Sequence, residues 1–156
     1  MTLRSFLKPD DLPAFERLLR DVGVFNAAEI ACCVGLARDT LNHDENYHWV
    51  LAEEKDQLLG LICYGAVELT DGTWDLYWIL RSPQAAGRGV AETLLKASEE
   101  ELRRSQARLY VLNTSGTSPY KPAHDFYRRQ GFELTARIPE YYRPGDDLLI
   151  FTKHIE

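Results

Sequence analysis

Apolar residues in the first part of the chain recur at helical spacing and predict two consecutive helices. The first is marked by Leu12, Phe15, Leu18, Leu19 and Val22. Gly23 is expected to end it, and Asp10 or Asp11 to cap its beginning. A short strand over residues 3–6 precedes it. Asn26 with Glu29 three residues later resembles a capping box, which predicts a second helix to Leu41.

The middle of the chain changes to strand-like runs. Residues 47–52, 58–67 and 74–81 form three such runs with short turns between them, including Thr70-Asp71-Gly72. Connections this short require antiparallel pairing. A helix over residues 90–104 follows, and then a strand over 108–113.

The last third predicts one helix and a hairpin. The helix covers residues 122–130, and Gly131 is expected to end it as a left-handed cap. Strands over 132–138 and 148–153 pair across Pro144-Gly145. The element order is therefore β-αα-βββ-α-β-α-ββ, an α+β class with a mixed sheet. The 156 residues suit a single domain, residues 1–156.

Composition narrows the functional classes. The net charge of −6 argues against a nucleic-acid partner, which needs a basic face. No apolar run is long enough to cross a membrane. Residues 1–6 lead directly into Lys8 and two aspartates, unlike a secretory signal, so a cytoplasmic protein is expected.

The cysteines and histidines predict no metal site. Cys32, Cys33 and Cys63 form neither a disulfide framework nor a zinc set, and Cys33 and Cys63 are expected to be buried. The four histidines are scattered without ligand spacing.

A glycine turn between a strand and a helix is the main candidate for chemistry. In Ala86-Gly-Arg-Gly-Val-Ala91, Gly87 and Gly89 allow a ligand to approach the backbone, and free N–H groups at a helix start favour an anion. An ordinary turn is the alternative. The turn matches neither of two other phosphate-binding motifs. A P-loop would need Gly-Lys-Ser/Thr, which is absent, and a dinucleotide fingerprint would need a glycine or alanine where Glu92 stands.

Two segments resemble the GNAT-type N-acetyltransferases. The first is Asp75-Leu-Tyr-Trp-Ile-Leu-Arg-Ser-Pro83 with the glycine turn, which is similar to the Q/R-x-x-G-x-G/A signature. The second is Ala123-His-Asp-Phe-Tyr-Arg-Arg-Gln-Gly-Phe132, which is similar to A-x-x-x-Y-x-x-x-G-F. The resemblance covers essentially the whole chain. It implies the GNAT acyl-CoA N-acyltransferase fold, a mixed, mostly antiparallel seven-stranded sheet flanked by four helices.

The chain departs from the family pattern in three places. Ala86 stands where Gln or Arg is usual, unless the register is Gln84-x-x-Gly87-x-Gly89. Tyr120 replaces the Asn that often begins the later helix. Asn113 lies near the end of the fifth strand, where some relatives carry a carboxylate.

The resemblance implies an enzyme that transfers acetyl from acetyl-CoA to an amine, without a metal. The cofactor would bind in a splay between the fourth and fifth strands. The Ile79 N–H would polarise the acetyl carbonyl, and the Arg81 backbone would hold pantetheine. N–H groups from 86 to 92 would hold the pyrophosphate. The implied cofactor set is Ile79, Leu80, Arg81, Ala86, Gly87, Arg88, Gly89, Val90, Ala91 and Glu92.

The resemblance also implies two catalytic residues. Tyr127 matches the tyrosine that protonates the departing thiolate, and a core tyrosine is its alternative reading. Asp75 is the best candidate for the base, although it could equally be structural. Strand alternation would place Asp75, Tyr77, Ile79 and Arg81 on one face.

The acceptor amine is not identified by the sequence. Candidate acceptor residues are Phe25, Asn26, Tyr47, His48, Trp49, Glu68, Glu140, Tyr141 and Tyr142. They suit a small amine or a peptide. A non-catalytic acyl-CoA sensor and an interaction module that lost the site are the alternatives. Many GNAT relatives form homodimers, so a homodimer is a further expectation.

Overall fold

The structure is a computed structural model that describes all 156 residues. It confirms the predicted order of elements. The strands are β1 (Thr2–Arg4), β2 (His48–Glu54), β3 (Gln57–Ala66), β4 (Thr73–Arg81), β5 (Leu109–Ser115), β6 (Glu133–Arg143) and β7 (Asp146–His154). The helices are α1 (Asp11–Val22), α2 (Ala27–Leu41), α3 (Val90–Arg104) and α4 (Lys121–Arg129).

Hydrogen bonds join the seven strands in the order β1-β2-β3-β4-β5-β7-β6. Antiparallel pairs join β1 to β2, β2 to β3, β5 to β7, and β6 to β7, whereas β4 and β5 run parallel. The fold is the predicted mixed, mostly antiparallel α+β arrangement with four helices.

The chain divides into two compact units, and β4 contributes to both. The first unit comprises Met1–Gly65 and Trp78–Glu101, and the second comprises Ala66–Tyr77 and Leu102–Glu156. The assignment of residues 1–156 to a single domain stays a prediction.

In the first unit, α1 and α2 bury their apolar faces against β2, β3 and the end of β4. This core contains Phe15, Leu18, Leu19, Cys33, Ala37, Trp49, Leu51, Leu61, Cys63 and Leu80. Successive strand residues point to opposite faces, so Gly60 lies against α3 instead. Lys55 and Asp56 both have positive φ, as a tight hairpin between β2 and β3 requires.

In the second unit, α4 packs on β5 and β7. Leu112 is paired with Phe151 across these strands, and both are buried. Tyr110 contacts Phe132, which lies three residues beyond the end of α4. Gly131 has φ of +93° and donates its N–H to the Arg128 carbonyl, so the predicted left-handed cap is confirmed.

The capping predictions had mixed outcomes. The Asn26–Glu29 capping box is present in both directions, at 2.8 and 2.9 Å. The expected cap of α1 is wrong, because Asp10 makes no side-chain capping bond. Asp11 is instead held by Arg4 and by the Lys8 N–H.

The last hairpin is longer than predicted. The first strand was expected to end at residue 138, but β6 continues to Arg143, and β7 begins at Asp146. An irregularity between Ile138 and Arg143 accommodates Glu140, which has φ of +55°. The local pattern could not show that pairing resumes after this bulge.

No helix in the structure is both long and apolar enough to cross a lipid bilayer.

Candidate active site

The glycine loop, residues 86–92, is anchored to the first unit by Ser82. The Ser82 N–H donates to the Leu59 carbonyl of β3 at 2.7 Å. The Ser82 hydroxyl accepts from the Gln84 N–H at 3.2 Å, at the start of a single 3₁₀ turn, Pro83–Ala85. The glycine loop therefore begins from a backbone already fixed to the sheet.

The N–H groups of the glycine loop fall into two sets. Those of Ala86 and Arg88 donate to the Pro83 and Ala85 carbonyls, both at a long 3.3 Å. The others find no acceptor in the protein, since α3 starts with the bond from Thr93 to the Gly89 carbonyl. These open donors belong to Gly87, Gly89, Val90, Ala91 and Glu92. Together with the positive end of the α3 dipole, they form a site for an anion.

Gly87 and Gly89 give the loop its shape. Their φ angles are +77° and +72°, a left-handed conformation that other residues adopt only with strain. A β-carbon on either would meet no atom within 4 Å, so the space over the loop is open. The backbone can therefore contact a ligand directly.

The Arg88 side chain is held by an acidic residue of β2. Its guanidinium lies 2.5 Å from Glu54, and both side chains are partly exposed. The hydrogen bond from Arg88 lowers the pKa of Glu54. Arg88 therefore lies beside the loop. The paired Glu54 carboxylate would repel an anion bound there.

Sequence reasoning missed two residues that shape this loop. Glu54 is far from Arg88 in the chain, and no local pattern links them. Gly60 lies against the start of α3, and an isolated glycine in a strand was the available signal.

The end of β4 contributes the other predicted donor residues. Leu80 is buried in the core beneath α1 and α2, so only its backbone can reach a ligand. Ile79 is half-buried. Arg81 is exposed, and its guanidinium donates to the Ser82 carbonyl at 3.3 Å. The pairing of β4 with β5 ends at Leu76 and Leu112, although both strands continue.

Tyr127 belongs to the second unit and is almost fully buried. Its ring contacts Phe132, Phe151 and Phe126, with centroid distances of 6.0, 5.7 and 5.9 Å. Burial, and to a lesser extent Tyr120, raises the pKa of Tyr127 to about 12. No protein group is hydrogen-bonded to its hydroxyl. The ring is thus packed as a core residue while the hydroxyl keeps its proton to donate.

Asp75 is also in the second unit, on β4 opposite Val111 of β5. It is half-buried, and no cation or hydrogen-bond donor is paired with its carboxylate. Burial raises the pKa of Asp75. A carboxylate that is desolvated and unpaired is a stronger base than an ordinary aspartate.

Several of the candidate acceptor residues have structural roles. Asn26 caps α2, and the Glu140 carboxylate accepts the Gly145 N–H. Trp49 is 3% exposed and donates its indole N–H to Thr40. Tyr141 and Tyr142 are exposed and stack edge to face at 5.1 Å.

Cys33 and Cys63 are buried thiols and not activated nucleophiles. Burial raises the pKa of Cys33 to about 12 and that of Cys63 well above its usual value. No group of three or more His, Cys, Asp or Glu side chains is arranged to hold a metal ion.

Comparison with known proteins identifies a family over most of the chain. Residues 11–132 match the model of the acetyltransferase (GNAT) family. A proposed GNAT acetyltransferase from Desulfovibrio desulfuricans superposes with a TM-score of 0.95, at 34% identity over 99% of both chains. The ribosomal-protein-S18-alanine N-acetyltransferase from Escherichia coli gives a TM-score of 0.77 at 20% identity, over 99% of this chain and 94% of its own.

An aminoglycoside 6′-N-acetyltransferase complexed with coenzyme A gives a TM-score of 0.78 at 16% identity, over 100% of this chain and 98% of its own. The last two likenesses show the fold alone. No curated protein matches the sequence.

Proposed function

Since the chain belongs to the GNAT acetyltransferase family, we propose that it transfers acetyl from acetyl-CoA to a primary amine of a small molecule or peptide. The transfer occurs by direct attack in a ternary complex. The observation that carries the proposal is the row of five open N–H donors in the glycine loop. Such donors suit a pyrophosphate, and the E. coli and aminoglycoside relatives are themselves named as N-acetyltransferases.

The donor side of the reaction is assigned to the glycine loop and the end of β4. The glycine loop binds the pyrophosphate through its backbone, and Arg88 adds a positive charge. The Arg81 and Leu80 backbone holds the pantetheine arm, and the Ile79 N–H polarises the thioester carbonyl. Hydrogen bonding to this oxygen stabilises the negative charge that develops during attack.

The proton transfers are assigned to Tyr127 and Asp75. The amine nitrogen attacks the carbonyl carbon, the carbon–sulfur bond breaks, and the sulfur accepts the proton of Tyr127. Asp75 takes the proton that the amine loses, through a water because its side chain is short. The Tyr127 phenolate and the Asp75 carboxylic acid then return to their starting forms by proton exchange with solvent.

The proposal also covers the acceptor, the location and the assembly. A net charge of −6 suits a cationic amine and disfavours nucleic acid. A cytoplasmic location and a homodimer remain part of the proposal, and sedimentation analysis tests the dimer.

The experiment joins a binding measurement to an assay of free thiol. Calorimetric titration should detect acetyl-CoA binding to the wild type, and Gly89→Glu should abolish it by placing a carboxylate in the loop. A panel of amines, peptides and aminoglycosides is then screened for release of free CoA thiol. Failure to bind acetyl-CoA would contradict the donor assignment. Binding without transfer to any amine would instead favour the non-catalytic sensor.

A further inference from the structure

The first unit contains a cavity of about 480 Å³ at the start of β2 that the proposed reaction does not use. It opens where the chain leaves the edge of the sheet, because the last pair between β1 and β2 is Arg4 with Leu51. The side chains that line it include Phe6, Glu45, Tyr47, His48, Trp49 and Glu101. This volume is within the range of about 300–1,000 Å³ typical of small-molecule sites.

The carboxylate of Glu101 lies in the cavity wall. The Oε2 atom of Glu101 is buried from solvent against His48, so a ligand would be held by the other oxygen of this carboxylate. Its charged neighbour is His48, whose Nδ1 lies 2.7 Å away, a distance that makes an ion pair when the imidazole is protonated. A carboxylate accepts about four hydrogen bonds, so Glu101 can bind a further donor.

The surrounding charges are mainly negative. Glu45 lies at the exposed rim, and the charges of Asp44 and Asp39, after the larger effect of burial, raise the pKa of Tyr47. Lys8, 5.9 Å from the Phe6 ring centroid, is the opposing cation. Arg4 is neutralised by two carboxylates, Asp11 and Glu53, and His48 adds a positive charge beside Glu101 when its imidazole is protonated.

The walls are already ordered. The Trp49 indole N–H donates to the Thr40 hydroxyl at 2.9 Å, and that hydroxyl donates to the Leu36 carbonyl. The His48 ring stacks on Tyr64 with centroids 5.5 Å apart. A ligand would therefore meet a preformed surface.

We propose that this cavity binds a small organic ammonium ion that carries an aromatic or apolar group. Its ammonium group is held by Glu101 and Glu45, and its apolar part lies against Phe6, Tyr47 and Trp49. Aromatic side chains contribute both apolar contact and a negative ring face, each of which favours such a cation.

The cavity is separate from the glycine loop. Val90 begins α3 beside the loop, and Glu101 lies about 16 Å further along the helix at 1.5 Å per residue. Ile79 is in β4, and β3 separates β4 from β2. The ammonium site does not depend on the proposed acetyl transfer, because its occupancy can be measured without acetyl-CoA.

The test uses phenethylammonium chloride as the probe and the full-length protein without acetyl-CoA. Its neutral analogue, 2-phenylethanol, is titrated in parallel. Glu101→Gln removes the charge and keeps the shape, and Glu100→Gln, on the exposed neighbouring residue, is the matched control. Amide NMR shifts report the location of binding, and thermal unfolding confirms that each variant is folded.

Phenethylammonium should bind more tightly than 2-phenylethanol and shift the amides of His48 and Glu101. Glu101→Gln should weaken it about tenfold, the loss expected for one charge-assisted contact, and Glu100→Gln less than about twofold. Equal affinity for the two probes, equal effects of the two variants, or displacement by CoA would overturn the proposal. Binding that persists in a protein without transferase activity would support the site while contradicting the enzyme.

Discussion

Gly60 of β3 lies directly under Val90, the first residue of α3. A β-carbon at residue 60 would be 2.9 Å from Val90 Cγ1 and 2.7 Å from the Leu80 carbonyl oxygen. No ordinary contact is this short, and one of the two obstacles is backbone. The absence of a side chain at residue 60 therefore sets how closely the start of α3, and the glycine loop before it, approaches the sheet.

Gly60→Ala should destabilise the protein and weaken acetyl-CoA binding together. We expect a loss of about 1–3 kcal/mol in the free energy of unfolding, the usual cost of overpacking a core. Chemical denaturation and calorimetry measure the two effects. Gly35→Ala is the control, because its β-carbon meets no atom within 4 Å inside α2, and it should stabilise by about 0.5–1 kcal/mol. Unchanged stability of Gly60→Ala would contradict the close approach.

Tyr127→Phe should lower turnover about 100-fold and leave acetyl-CoA affinity nearly unchanged. The reason is that only the hydroxyl, which has no protein partner, is removed. Steady-state kinetics and calorimetry separate the two quantities. Tyr110→Phe is the matched control, since Tyr110 is also buried and also contacts Phe132. A Tyr127→Phe enzyme at full rate would exclude the proton-donor role.

The pKa of Tyr127 also predicts the alkaline side of the pH profile. A phenol with a pKa of about 12 remains protonated throughout the neutral range. Turnover should therefore show no loss from Tyr127 ionisation below about pH 11, as the separation from its pKa requires. A decline near pH 9–10 that is absent from Tyr127→Phe would contradict this assignment.

Asp75→Asn should remove the acidic limb of the rate profile. A general base works when deprotonated, so kcat/KM should rise with pH through the pKa of Asp75, which burial holds above its ordinary value. The variant should be slower by about 100-fold. Asp71→Asn, at an exposed position in the preceding turn, should keep the wild-type profile. An acidic limb that survives in Asp75→Asn would assign the base elsewhere.

Arg88 and Glu54 should affect donor binding in opposite directions. Arg88→Ala removes a cation beside the loop and should weaken acetyl-CoA binding several-fold. Glu54→Gln removes the nearby negative charge and should strengthen it at low salt. Calorimetry at two salt concentrations tests both, with Arg20→Ala of the exposed Glu16 pair as control. Changes of the same sign in the two variants would exclude this account.

Asp11→Asn should reduce stability by about 2 kcal/mol at neutral pH. Burial, the largest influence, raises the pKa of Asp11, but the Arg4 guanidinium and the Lys8 N–H together outweigh it and lower the pKa. A lowered folded pKa adds stability above the unfolded value of about 3.9, and this is lost as the pH falls through the folded pKa. The urea-unfolding free energies of the variant and the wild type should therefore approach each other as the pH falls below about 4 and coincide only below the folded pKa of Asp11. A difference that persists in acid would contradict the charge-based explanation.

The sequence predicted those features that depend on neighbouring residues. The capping box at Asn26, the left-handed cap at Gly131 and the order of elements all follow from local spacing, and the structure confirms them. The features it missed depend on residues far apart in the chain. Asp11 pairs with Arg4 and does not cap α1 as expected. Pairing with β7 makes β6 longer than the local sequence pattern predicts.

In the candidate site, too, the features that depend on neighbouring residues were predictable, and those that depend on distant residues were not. The glycine loop was predictable because positive φ angles strongly favour glycine. Its supporting residues, Glu54 and Gly60, were not, because their roles arise only when β2, β3 and α3 are assembled. The catalytic roles of Tyr127 and Asp75 stay predictions.

The open N–H groups of the glycine loop also bear on how freely its sequence can change. Backbone donors are present whatever side chain a residue carries, so the chain can replace the family's usual Gln or Arg by Ala86 and still offer them. Positions 84, 86 and 88 are therefore adjustable in charge, which would let an engineer tune donor affinity and salt response. A search for similar loops by side-chain identity would overlook chains that keep only the two left-handed glycines.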